Sequence, residues 1–232
     1  MGVTPSPLHR CTAAICTGLA AAAIAAAGAP AQQYAQPGRP LSTVGAPGCT
    51  RTGAKTIKAN RHVRVFSVLK RGYGAVYGCQ RSARRAFRLG ILGECQNSRE
   101  IRMVEVAGRR AVLGIFECSL YAGGWNLELV NLRNGHREFT SNNPISVFPP
   151  TEATHDSLQR MVLTADGSVA WTAARSGAGA AASYVEVRRR RRGSTNQAVL
   201  LDSGTDIDAQ SLRKRGRTIS WTKAGVRRTA QL

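Results

Sequence analysis

The strongest constraint on how this chain can fold is a recurring unit. From Lys55 onward, short runs of alternating apolar and polar residues stop at Gly or Asn, and no long stretch has helical period. Strand side chains alternate between two faces, so this is all-β patterning. Four times an alternating run reaches a tight turn, at Asn60, Gly108, Gly167 and Gly216, and an apolar run follows: RHVRVF, RRAVLG, SVAWTA and RTISWT. The turns lie 48, 59 and 49 residues apart. The longest interval holds SNNPISVFPPTEATHD, from Ser141 to Asp156, whose prolines predict an inserted loop. A period of this length marks radial or stacked repeats.

The units are expected at about 49–93, 94–150, 151–204 and 205–232, within one domain at 49–232. The second divides into IRMVEV, AVLGIFECS, NLELVNL and HREF, the last two joined at Asn134-Gly135, a strong hairpin signal. The third reads QRMVLT, VAWTA, SYVEV and AVLLD, whereas the fourth has only SLRKR, TISWT and VRRTAQ. If the segment CTRTGAKT supplied the missing strand, the two ends would zip into a ring. An open array would instead leave an unpaired strand edge.

LVNLRNGHREF (Leu129 to Phe139) resembles the outer hairpin, and SVAW and TISW the inner strand, of the blades of exported bacterial β-propellers of the TolB-like or WD40-like kind. The resemblance covers Lys55 to Leu232. It implies a propeller-like array of about four four-stranded units that binds partners, and it carries over no catalytic residue. A two-sheet β-sandwich is the alternative architecture.

Residues 1–10 contain His9 and Arg10 and no acid, and the 21 residues from Cys11 to Ala31 are uncharged, 11 of them Ala. That order, closed by Ala29-Pro30-Ala31, predicts a signal peptide over 1–31 with cleavage before Gln32. Gly18, Gly28 and Pro30 interrupt the apolar run, so no stable membrane insertion is expected once it is removed. Residues 32–48, rich in Pro and Gln, read as a tether. The expected location is the medium or the cell envelope.

Cleavage would leave Cys49, Cys79, Cys95 and Cys118. An even count in an exported chain predicts two disulfides. Four cysteines allow three pairings, and Cys49 with Cys79 and Cys95 with Cys118 keeps each bridge inside one unit. No C-x-x-C spacing or histidine pairing suggests a metal, and no cofactor is expected.

The chain has 33 Lys plus Arg against 13 Asp plus Glu, a formal net charge of +20. Residues 32–90 hold 12 bases and no acid, and residues 205–232 hold seven bases and two acids. Codon bias can favour Arg over Lys but does not remove acids. An anionic polymer or an acidic protein surface is therefore the expected partner. The run Arg188, Arg189, Arg190, Arg191 and Arg192 is expected on a hairpin tip, with Arg84, Arg85, Arg213, Lys214 and Arg215 completing the binding set.

Other constellations read as structural. Trp171 and Trp221 occupy matching places in the repeat, which favours core over sugar stacking. His155, Asp156 and Ser157 are neighbours in the expected loop, whereas a triad is assembled across a fold. The pairs Glu117/Glu128 and Glu94/Glu100 have no readable carboxylate separation. Asp202, Asp206 and Asp208 suit turns better than calcium. The expected function is a non-enzymatic binding or scaffold module, with a secreted hydrolase or lyase using the mouth of a ring as the alternative. The sequence leaves the oligomeric state open.

Overall fold

The computed structural model describes residues 40–43, 48–70, 73–83, 85–93, 99–117, 124–142, 155–176, 184–193 and 198–232, all within the compact unit Tyr34–Leu232. The expected signal peptide, Arg84, Cys95 and Cys118 lie outside these residues. The described chain is all-β, without a helix. Its strands are β1 (Lys55–Ala59), β2 (Val63–Lys70), β3 (Tyr73–Gln80), β4 (Phe87–Leu92), β5 (Arg99–Ala107), β6 (Arg110–Glu117), β7 (Gly124–Asn131) and β8 (His136–Asn142). They continue with β9 (His155–Leu163), β10 (Val169–Ser176), β11 (Tyr184–Arg190), β12 (Val199–Gly204), β13 (Ile207–Arg215), β14 (Thr218–Lys223) and β15 (Val226–Gln231).

Strands follow one another as antiparallel neighbours in three sheets: β1 to β8, β9 to β12, and β13 to β15. In the largest, β4 meets β5 only through a parallel bridge between Ile91 and Glu100. Among the described residues none of the sheets closes on itself. Lys55 and Thr56, from the segment expected to complete the last sheet, pair instead with Ser67 and Phe66 of β2. The outer edge of β15 has no strand partner among the described residues.

Alternation gives the strands two usable faces, and neighbouring meanders share them. Val63, Val65 and Val76 pack with Ile101, Leu113 and Ile115, so the two halves of the eight-stranded sheet face each other. Leu127, Leu129 and Phe139 meet Met161, Leu163 and Trp171 across the next interface. Val185 and Val187 meet Leu212, Ile219 and Trp221 across the third. Both tryptophans are therefore core, Trp171 at 0% and Trp221 at 5% exposure. At ~25 cal/mol per Å² of apolar surface, these contacts are the dominant favourable contribution to folding.

The two outermost faces end differently. On the first meander, Phe66, Val68 and Tyr77 are covered by the segment carrying Cys49 and Ala54. The Cys49–Cys79 disulfide pins that cover, and Arg64 donates to the carbonyls of Cys49 (2.8 Å) and Ala54 (2.9 Å). On the last meander the register leaves Arg213, Ser220 and Thr229 in one row and Thr222 with Arg227 in another, a polar face that needs no cover.

Two further expectations change. Part of the stretch read as a tether is docked: Leu41 is buried, its N–H donates to Gly135 (2.9 Å), and Arg88 N–H donates to Ser42 (3.1 Å). His155 and Asp156, expected in a loop, begin β9 opposite Ser176 and Arg175. The hairpin at Asn134-Gly135 is present as a four-residue turn, Leu132 to Gly135, between β7 and β8. Gly135 has φ of +73°, and a Cβ there would stand 2.5 Å from the Phe87 ring, so both conformation and space demand glycine.

Candidate functional site

The turns at Asn60, Gly108, Gly167 and Gly216 each join the first and second strands of a meander. They also touch in chain order. Asn60 Nδ2 donates to the Gly108 carbonyl (3.1 Å), Arg110 Nη1 to the Ala165 carbonyl (2.8 Å), and Arg217 Nη2 to Asp166 (3.2 Å). One end of the sheets is thereby aligned. The loops after β3, β7 and β11 emerge at this same end, because Gln80 pairs with Val63, Asn131 with Arg110, and Arg190 with Val169.

Arginine dominates that end. Arg61, Arg109 and Arg217 each follow a turn residue directly, and all three are exposed. Arg81, Arg85 and Arg133 are exposed on the adjoining loops, and Arg191 and Arg192 beyond β11. The nearby carboxylates are already engaged: Glu138 by Arg110 (2.6 Å), Asp166 by Arg217 (3.2 Å) and Glu105 by Lys58 (2.9 Å). Asp166 also caps its turn. A hydrogen bond from the Thr164 hydroxyl outweighs burial and, with the Ser168 N–H, holds its carboxyl below the usual range.

The five-arginine run is not five solvated guanidiniums on a tip. β11 extends to Arg190, so alternation divides the run between two faces. Arg188 and Arg190 are buried at 8% and 6% exposure on the face toward the second meander. Arg188 pairs with buried Glu186 (2.6 Å), and Arg190 lies over the Phe139 ring at 4.2 Å. Arg189 turns the other way and donates to the Gln231 carbonyl, which Arg191 also reaches (3.5 Å). Of the expected binding set, Arg85, Arg191, Arg192, Arg213, Lys214 and Arg215 are exposed.

Beneath the turns the first strands of the meanders are neighbours, β1 beside β5, β5 beside β9, and β9 beside β13. A cavity of about 320 Å³ opens among them. Its wall includes Lys58, Glu105, Arg160, Val162, Leu212 and Lys214. Among the lining residues Glu105 is the single carboxylate and there is no histidine, so neither a carboxylate pair nor a His–acid pair meets there.

The rejected constellations acquire definite places. Glu117 and Glu128 are brought to the same guanidinium, Arg99, at 2.8 and 2.6 Å, and Arg137 adds a second bond to Glu128 at 3.1 Å. They form an ion-paired network and not an acid beside a base. Glu100 accepts from Arg102 (2.9 Å) and the Gly93 N–H (3.2 Å), while Glu94 lies outside the described residues. No group of three or more His, Cys, Asp or Glu suited to a metal occurs among the described residues.

Asp202 accepts from Trp221 Nε1 and Lys223 Nζ, both at 2.9 Å, beside an open cavity of about 370 Å³ between β12 and β15. Burial opposes its ionisation, but the bonds from Lys223, Trp221 and the Ser203 N–H prevail and hold its pKa below the ordinary value. A depressed carboxylate contributes stability above its unfolded pKa, about 3.9, and loses it as pH falls through the folded value. Asp202→Asn should therefore be less stable than wild type at pH 7, with the gap closing below about pH 4. Denaturant unfolding at the two pH values checks this, and a constant gap would refute it.

Sequence reasoning missed Arg61, Arg81, Arg109, Arg133, Arg160 and Arg217. A signal for three of them was present, since Arg follows the turn residue in three of the four recurring units. No family model matches the chain, and no curated protein matches its sequence.

Proposed function

We propose that this chain is an exported, non-enzymatic binding or scaffold module of propeller-like build that holds an anionic polymer against its arginine end. The observation that carries this is the turn-to-turn alignment, which gathers the arginine after each of three turns onto one surface whose carboxylates are already paired. Guanidiniums grip phosphate, sulfate and carboxylate through paired donors, and a row of them suits a repeating anion.

Export is supported by the basic-then-apolar amino end and by the Cys49–Cys79 disulfide, a bond that persists in oxidising compartments. No helix of the described residues is long and apolar enough to cross a membrane. Meanders of four, four, four and three strands with neighbouring first strands support the propeller-like build. A β-sandwich would use the same face-to-face packing, and either architecture presents the arginine end.

Affinity for polyphosphate should fall steeply between low and moderate salt, because each neutralised phosphate releases counterions and adds roughly 0.7 to 0.9 to the log–log slope. Replacing Arg109 and Arg133, both exposed and without a carboxylate partner among the described residues, with Ser should flatten that slope by about 1.5. Binding that ignores salt, or that survives this double substitution unchanged, overturns the reading.

A further inference from the structure

We propose that the cavity among the first strands is a separate binding site for a single oxyanion of phosphate or sulfate size. All four meanders contribute to its wall: Lys58 from β1, Glu105 from β5, Arg160 and Val162 from β9, and Leu212 and Lys214 from β13. Four cations line it, counting Arg213, against one acid.

Two of those cations are spent. Lys58 is held by Glu105 at 2.9 Å, and Arg213 curls back to donate to the carbonyls of Gln210 (2.6 Å) and Leu212 (3.0 Å). Arg160 and Lys214 have no carboxylate partner among the described residues. Arg160 Nε is buried and has no hydrogen-bond partner among the described residues. A buried donor without an acceptor, on a charged group, is the arrangement that proteins avoid unless something else supplies the acceptor.

Strand alternation explains why these groups meet. Arg160 and Val162 are two apart on β9, and Leu212 and Lys214 are two apart on β13, so each strand offers one apolar and one cationic side chain to the gap. Nearby, Gln210 Nε2 of β13 donates to Gln159 Oε1 of β9 (2.8 Å), and the Thr172 hydroxyl of β10 donates to the Ala209 carbonyl of β13 (2.6 Å). These bonds hold β13 against β9 and β10 beside the cavity. Val162 and Leu212 lower the local dielectric, which strengthens a charge-assisted bond formed there. An oxyanion would accept from the Arg160 fork on one side and the Lys214 ammonium on the other. At about 320 Å³ the cavity is at the small end of ligand sites, large enough for a tetrahedral anion with a modest substituent but not for a polymer segment.

The site does not depend on polymer binding at the arginine end, and the test separates them. Calorimetric titration of the full exported chain with inorganic phosphate at low salt should show one saturable site. Arg160→Met and Lys214→Met should each weaken it about tenfold or more, the loss expected for a charged hydrogen bond. Arg160→Lys, which keeps the charge and removes the fork, should fall between and guards against a folding defect in the methionine variant. Replacing Arg191 and Arg192 with Ser should weaken polyphosphate binding and leave phosphate uptake unchanged. Absence of saturable phosphate uptake by the wild type, or undiminished uptake by a folded Arg160→Met, overturns the proposal. Equal loss of phosphate and polyphosphate binding in the Arg191 and Arg192 variant overturns it too, while leaving the polymer reading in place.

Discussion

Trp171→Ala should destabilise the protein by about 3 to 5 kcal/mol, the range for emptying a large aromatic from a packed core. The indole, carried by β10, is fully buried in the core between the second and third meanders, with Phe139, Met161, Leu163 and Val169. Its neighbours belong to two sheets, so neither can move into the void without losing contacts on its other face. A domain is stable by only about 5 to 15 kcal/mol in total, so this one truncation removes a large share. Urea unfolding followed by circular dichroism measures it. A tryptophan kept for stacking on a sugar ring would be accessible, and its removal would cost about 0.5 kcal/mol or less. That smaller figure would displace the packing account.

The second large effect is electrostatic. Glu128 has 0% exposure, accepts from Arg99 Nη2 and Arg137 Nε, and shares Arg99 with Glu117. Glu128→Gln keeps the shape and removes the charge, leaving two guanidiniums facing an amide. The cost should be about 3 kcal/mol, the low end for breaking a buried pair from one side, because Arg137 at 15% exposure stays largely desolvated while Arg99 at 35% reaches water and keeps Glu117. Replacing Glu128, Arg99 and Arg137 together with Leu or Met should recover most of the loss, since the desolvation cost leaves with the charges. A Glu128→Gln protein within about 1 kcal/mol of wild type would show that water already reaches this network.

The strand pattern was legible because alternation is a local property. TISWT and VRRTAQ, for example, fall within a residue or two of β14 and β15. The first disulfide was legible for a related reason: few pairings were possible, and Cys49 and Cys79 both fall within the first recurring unit. Pairing partners were harder. CTRTGAKT has the composition of an edge strand, but which edge it joins depends on a long-range choice, and β2 is closest along the chain.

The arginine run shows where composition misleads. Five consecutive guanidiniums look solvated, yet a strand sends every second side chain to the opposite face, and Phe139 and Glu186 give two of them a buried environment. Conversely, Arg160 stands alone in the sequence between Gln159 and Met161, with nothing to distinguish it. Its place in the proposed oxyanion site comes from Lys58 and Lys214 lining the same cavity, which only the tertiary arrangement supplies.

The three cores between meanders have no side chain in common. A void opened in the core around Trp221 is therefore separated by the other two cores from the packing that covers Cys49 and Cys79. A packing defect at the last interface thus loosens the final meander while the layer stapled by the disulfide keeps its own core, so damage spreads by steps and not all at once.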